Sequence, residues 1–121
     1  MKKILITDDQ KEVRALVAVT LRSGDYEVLQ ASSGQEALDI ARAEHPDLVI
    51  MDVMMPGAVD GLEATRQLKG SPETSNCVVL LLTGRTQTKD REMGLAAGAD
   101  DYFFKPFSPL ELLQKVETVI G

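Results

Sequence analysis

The run Leu48-Val49-Ile50-Met51-Asp52-Val53-Met54-Met55-Pro56 constrains this chain more than any other stretch. Four consecutive apolar residues read as a strand buried on both faces, as in parallel sheets covered by helices on either side. A carboxylate does not belong inside such a strand, so Asp52 marks its carboxyl end. Pro56 can neither extend the ladder nor start a helix at once, and the acid therefore opens onto a loop. Open α/β sheets bind their ligands at that edge.

At 121 residues the chain can bury one core, and it is expected to form a single domain over residues 1–121. The net charge of −6 argues against gripping a phosphate backbone, so direct nucleic-acid binding by this domain is not expected. Met1-Lys2-Lys3 is followed only by Ile4-Leu5-Ile6 before Thr7-Asp8-Asp9, far short of a signal peptide's hydrophobic region. No stretch is long enough to span a membrane. The single cysteine, Cys77, cannot form an internal disulfide, in keeping with a cytoplasmic protein. It opens an apolar run and reads as a small buried hydrophobe.

Apolar strand-like runs fall at Lys3-Thr7, Tyr26-Gln30, Asp47-Asp52, Cys77-Leu82 and Asp101-Phe104. The helix-length segments between them share an opening signature, a capping residue followed three positions later by Glu: Asp9…Glu12, Ser33…Glu36, Asp60…Glu63 and Ser108…Glu111. Pro109 occupies the first helical position of the last segment. Helix one is expected to bury Val13, Leu16, Val17, Thr20 and Leu21 and to stop at Gly24. Helix two carries Ala37, Leu38, Ile40 and Ala41, and ends near Arg42 and the lone His45, which complements the helix's negative end or stands in solvent. Helix three shows Leu62, Thr65 and Leu68; helix five shows Leu110, Leu113, Val116 and Ile120. Helix four, somewhere within Thr86 to Ala97, has Gly94 in its interior and is expected to be the loosest.

Five β-α repeats call for a doubly wound, five-stranded parallel sheet. A 2-1-3-4-5 order places the switch point between strands one and three, beside Asp8, Asp9 and Asp52. Thr83 and Lys105 follow strands four and five at the same edge. Three carboxylates in one pocket repel each other, so the site must hold protons or bind a hard cation, and Mg²⁺ suits oxygen ligands of this kind. A hydroxyl and an ammonium opposite are what a phosphoryl group would use.

Taken in order, Ile4-Leu5-Ile6-Thr7-Asp8-Asp9, Asp52-Val53-Met54-Met55-Pro56, Asp60-Gly61, Leu82-Thr83-Gly84, Gly98-Ala99-Asp100-Asp101-Tyr102 and Lys105-Pro106-Phe107 resemble the receiver domain of two-component response regulators across the whole chain. The resemblance implies a (βα)5, flavodoxin-like fold and a phospho-accepting signalling switch that catalyses its own phosphorylation and slow self-dephosphorylation. Asp52 would take a phosphoryl group from a phosphohistidine on a sensor histidine kinase or a histidine phosphotransfer protein. Asp8, Asp9, Asp52 and the backbone carbonyl of Met54 would hold Mg²⁺, and Lys105 would neutralise the phosphoryl oxygens. Lys105-Pro106 would carry a cis peptide. Thr83 would turn to the phosphate, and Tyr102 would rotate inward from solvent, altering the surface of helix four, strand five and helix five.

That surface is similar to the branch controlling winged-helix transcription factors, where it pairs in a two-fold homodimer. Arg91 with Glu111, and Asp101 with Lys115, are the candidate pairs across such an axis. Met54 and Arg85 would flank the phosphoryl group and shield it. Two departures stand out. Met55-Pro56-Gly57-Ala58-Val59-Asp60-Gly61 carries one residue more than the family's usual loop, and Gln10 stands where an acid is frequent. A phosphohydrolase of the haloacid-dehalogenase type would need an acid at position 54, which is Met. A receiver-like module that works without phosphorylation has no need of so complete a set of acids, hydroxyl and lysine.

Overall fold

The computed structural model describes residues 1–84 and 88–121. Five strands alternate with five helices: β1 Lys3–Thr7, α1 Lys11–Arg22, β2 Glu27–Ala31, α2 Gly34–Glu44, β3 Leu48–Asp52, α3 Gly61–Gly70, β4 Val78–Gly84, α4 Thr88–Ala96, β5 Asp101–Lys105 and α5 Pro109–Ile120. All strands are parallel, in the order β2-β1-β3-β4-β5. The parallel, doubly wound sheet expected from the alternation of apolar runs is present, in the flavodoxin-like (βα)5 form that the family resemblance implies.

The central strands serve two cores at once, because successive side chains of a strand point to opposite faces. Leu5, Val49, Met51, Val79 and Leu81 face α2 and α3, where Ala37, Leu38, Ala41, Ala64 and Leu68 meet them. Ile4, Ile6, Leu48, Ile50, Leu80 and Leu82 face α1 and α5, meeting Val17, Ala18, Leu21, Leu112 and Val116. Every residue of β3 is buried, so its continuous apolar run reflects helices on both faces. Cys77 is a buried member of the first core, and burial pushes its thiol pKa up. His45 caps α2 from the left-handed region, with φ 49°, and is exposed.

Three of the four capping signatures form as expected. Ser33, Asp60 and Ser108 accept from the backbone N–H of Glu36, Glu63 and Glu111, and the last is a complete capping box with Pro109 behind it. The fourth does not form. The N-cap of α1 is Gln10, and no side chain caps it, because Asp9 lies one residue too early to reach the helix's free N–H groups. Two helix faces also differ from expectation. Leu16 is 46% exposed and Leu110 64% exposed, while Ala18 and Leu112 take the inward positions. The apolar stripe on each helix is wider than the face that the sheet can cover. After α1 the positive φ falls at Asp25 (68°) rather than at Gly24.

Gly94 has a packing reason. A Cβ there would lie 2.0 Å from Leu81 Cδ1, on a side chain that is itself fully buried. The glycine lets α4 lie close against β4, while Met93 and Leu95 stay 50% and 44% exposed. Gly94→Ala is expected to destabilise the protein by about 1–3 kcal/mol through overpacking, although Ala is the better helix former by roughly 1 kcal/mol. Urea unfolding checks this, and an Ala variant as stable as wild type would refute it. Amide hydrogen exchange is expected to be faster in α4 than in α1 or α5, since α4 buries so little apolar surface; equal protection would contradict that.

Candidate functional site

The carboxyl ends of β1 and β3 bring two acids side by side, because these strands are neighbours whose register ends at Thr7 opposite Met51. Asp8 follows β1 directly and Asp52 closes β3, with 0% and 4% of their surfaces exposed. Exposed Asp9 completes the group. Each of the three offers a carboxylate oxygen, and these oxygens lie within 4.8 Å of one another. Lys105, at the end of β5, reaches across the edge. Its Nζ lies 3.0 Å from Asp8 Oδ2 and 3.2 Å from Asp52 Oδ1. The Lys105-Pro106 peptide is cis.

The electrostatics follow from this crowding. Burial pushes the pKa of Asp52 up to about 6; Lys105 opposes the rise, and the neighbouring Asp8 charge adds to it. Burial lowers the pKa of Lys105, but Asp52 and Asp8 outweigh it and leave the ammonium above its ordinary value. Among the described residues Lys105 is the cation paired with these acids, and one ammonium cannot neutralise all three. The donor set is all oxygen, closely spaced and over-charged, which fits a small hard divalent cation. The Met54 N–H donates to Asp52 Oδ1 at 3.3 Å, and the Met54 side chain stands 61% exposed at the mouth.

Thr83 is buried, one position beyond the Leu82 that pairs with Asp52, and its hydroxyl donates to the Gly84 carbonyl at 3.4 Å. Tyr102 is half-buried rather than turned out to solvent. Its ring packs partly against the first core, 5.4 Å from the ring of Phe104. The Arg91 guanidinium lies 5.2 Å and 5.0 Å from the centres of those two rings. Residues expected to pair across a dimer axis have partners within the chain. Lys115 Nζ binds Asp101 Oδ2 of its own chain at 2.7 Å, and Glu111 is occupied by the capping box of α5. Arg85 lies outside the described residues, as does Thr86.

The longer loop turns at Gly57, with φ 103°, and tucks Val59 against the first core. Asp60 then caps α3, and Gly61 sits so close to the strand end that a Cβ would lie 2.1 Å from the Asp52 carbonyl oxygen. The residue expected to be extra in this loop lies beyond Met54, and Asp52 keeps its place beside Asp8 and Asp9. Around the mouth lie two hollows. One of about 370 Å³ is lined by Val53, Met54, Met55, Pro56 and Asp60. The other, of about 400 Å³, is lined by Val13, Leu16, Lys105, Pro106 and Phe107.

Sequence reasoning missed Arg14 and Gln30. The Arg14 guanidinium donates to the backbone carbonyl of Asp8 at 2.7 Å and to Gln30 Oε1 at 3.3 Å. No motif flags them. The only signal is an arginine one helical turn beyond the acids.

An all-parallel sheet with acids at the switch point and a lysine from the last strand defines a receiver domain. The response regulator receiver pattern matches residues 4–117, and the chain belongs to that family. It is 40% identical over 119 residues to the alkaline phosphatase synthesis transcriptional regulatory protein PhoP of Bacillus subtilis, covering 98% of this chain and 48% of that protein. It is 39% identical over 119 residues to the phosphate regulon transcriptional regulatory protein PhoB of Pseudomonas aeruginosa, covering 98% and 52%. The chain therefore spans about half the length of these curated relatives. The chemotaxis protein CheY4 of Vibrio cholerae superposes with a TM-score of 0.91 at 34% identity, over 98% of both chains. No helix among the described residues is long and apolar enough to cross a membrane.

The raised pKa of Asp52 has a consequence for stability. The folded protein holds a proton between about pH 4 and pH 6 that the unfolded chain has released, so stability falls as pH rises through that window. The gap from the ordinary 3.8 to about 6 corresponds to roughly 3 kcal/mol. In chelator, Asp52→Asn is expected to be more stable than wild type at pH 7 by about 1–3 kcal/mol, with the difference shrinking towards pH 4. Urea unfolding of both proteins across that range is the check; a variant no more stable at pH 7 would refute the account.

Proposed function

We propose that this chain, as one receiver domain over residues 1–121, accepts a phosphoryl group on Asp52 from a phosphohistidine of a sensor histidine kinase or histidine phosphotransfer protein. The observation that supports this best is the acid cluster itself: three carboxylate oxygens within 4.8 Å, closed by one lysine. Asp8, Asp9, Asp52 and the Met54 carbonyl are the groups that would hold Mg²⁺. When bound, the cation offsets the negative charge that the acids and the incoming phosphoryl oxygens share.

The chain's own residues would do the rest. A carboxylate oxygen of Asp52 attacks phosphorus as the bond from phosphorus to the imidazole nitrogen breaks. The imidazole leaves with the electron pair, and an acyl phosphate remains on Asp52. Lys105, already within 3.2 Å of Asp52, holds a phosphoryl oxygen and exchanges its carboxylate partner for it. The same alignment lets the domain catalyse its own phosphorylation from small donors and its own slow dephosphorylation. Met54 at the mouth and Arg85 shield the acyl phosphate from water and lengthen its life. The apolar hollow between α1 and the Pro106-Phe107 turn, beside Lys105 and with Leu16 at its rim, offers a resting place for the phosphohistidine partner.

The switch would run through Thr83 and Tyr102. Once its hydroxyl turns from the Gly84 carbonyl to the phosphoryl group, Thr83 vacates space that the half-buried Tyr102 ring fills. This ring supports Arg91 of α4, so its movement alters the surface of α4, β5 and α5. In a homodimer through that face, Lys115 and Asp101 would exchange their bond within one chain for one across the axis, and Arg91 would pair with Glu111. Such a protein works in the cytoplasm. The output that the surface controls would lie in a partner or in a further domain.

The test is intact mass after incubation with acetyl phosphate, with and without Mg²⁺, for wild type and Asp52→Asn. A single adduct in wild type that needs Mg²⁺ and is absent from Asp52→Asn is expected. No adduct under any condition would overturn the proposal. A sizing column on the same samples reports whether the adduct pairs.

A further inference from the structure

From the contacts around the β1–α1 turn, we infer that Arg14 is a positioning residue for the metal-binding acids. This rests on the proposed Mg²⁺ site and extends it to a residue outside the acid cluster.

The turn that carries Asp8 and Asp9 lacks the support its counterparts have. Ser33, Asp60 and Ser108 cap α2, α3 and α5 with their side chains, whereas Gln10 caps α1 with none. What holds the turn instead is a short set of contacts. The Asp8 N–H donates to the Ala31 carbonyl at 3.2 Å, and the Gln10 N–H donates to Asp8 Oδ1 at 2.9 Å. Arg14 Nη1 donates to the Asp8 carbonyl at 2.7 Å. That carbonyl belongs to the peptide linking Asp8 to Asp9, just past the last paired residue of β1. A peptide is planar, so fixing its oxygen fixes the direction in which the chain enters Asp9. Arg14 thereby sets the relative aim of two of the three acids.

Only arginine can do this here. Its Nε simultaneously donates to Gln30 Oε1 at 3.3 Å, so the planar fork spans α1, the end of β1 and strand β2. A lysine could reach one acceptor but not hold both in one plane. The bond to the carbonyl is charge-assisted and short. Charge alone would act in the opposite direction, since a cation beside the acids opposes binding of a second cation. Removing Arg14 therefore tightens Mg²⁺ binding if only its charge matters, and weakens it if its geometry matters.

The experiment is a calorimetric Mg²⁺ titration of the full chain, without any phosphoryl donor, on wild type, Arg14→Met, Arg14→Lys and Gln30→Ala. Thermal unfolding in chelator and in saturating Mg²⁺ accompanies it. Arg14→Met is expected to bind Mg²⁺ about tenfold more weakly, the low end for groups that orient metal ligands. Arg14→Lys, which keeps the charge and one donor, recovers part of that loss. The Mg²⁺-induced rise in unfolding temperature should shrink in the same order, a change that a purely structural loss in the metal-free protein would not produce. Gln30→Ala alters an exposed side chain and keeps the test decisive if the Arg14 variants do not fold; a weakening of about twofold to tenfold is expected from loss of one hydrogen bond. Unchanged or tighter Mg²⁺ binding in Arg14→Met, or unchanged binding in Gln30→Ala if that is the variant that folds, overturns the inference. A wild type that binds Mg²⁺ but takes no phosphoryl group would sink the phosphorylation proposal and leave this one standing. A wild type that binds no Mg²⁺ would sink both.

Discussion

Burial of Asp8 and Asp52 side by side, with exposed Asp9 close by and one ammonium set against them, is the constraint on which the rest of this structure depends. Buried carboxylates are costly, and Lys105 relieves only part of the cost, as the raised pKa of Asp52 records. The expense of roughly 3 kcal/mol is a sizeable fraction of the 5–15 kcal/mol by which a domain is usually stable. It is tolerable because the acids sit at the switch point, where the chain leaves β1 and β3 for helices on opposite faces, held by a sheet buried on both sides. The fold thus supplies the stability that the site consumes.

Much of this was legible in the residues. The apolar run ending at Asp52, the five β-α repeats and the Ser33, Asp60 and Ser108 caps each have a local physical signature, and each is found where expected. The convergence of Asp8, Asp52 and Lys105 also followed, because strand order alone brings strand ends together. What was not legible depended on distances between elements. Leu16 and Leu110 fit a helical stripe as well as their neighbours do, but the sheet covers only part of that stripe. Asp9 looks like a cap because Glu12 follows three residues later, yet the helix begins only at Lys11. The intrachain bond between Lys115 and Asp101 and the reach of Arg14 to the Asp8 carbonyl join residues with no shared motif.

The centre of the sheet and its β5 edge differ in character. β1, β3 and β4 are locked between helices, whereas every residue of β5 is only half-buried. Beside it, α4 keeps Met93 and Leu95 about half exposed and lies close against β4 at Gly94. Arg91, resting on Tyr102 and Phe104, links this loosely covered edge to the strand that also ends in Lys105. A rearrangement near the acids therefore meets least resistance along β5 and α4, where few core contacts must break.

The distribution of aromatic rings follows the same division. The core is aliphatic, there is no tryptophan, and of five aromatic residues four lie between Tyr102 and Phe107. Their rings touch in two tilted pairs, Tyr102 with Phe104 and Phe103 with Phe107, one on each face of β5. With no tryptophan, the near-ultraviolet signal comes mainly from the two tyrosines, Tyr102 at that edge and Tyr26 packed against the second core. Replacing Tyr26 by phenylalanine would leave Tyr102 as the sole tyrosine, and tyrosine emission would then report on that edge alone.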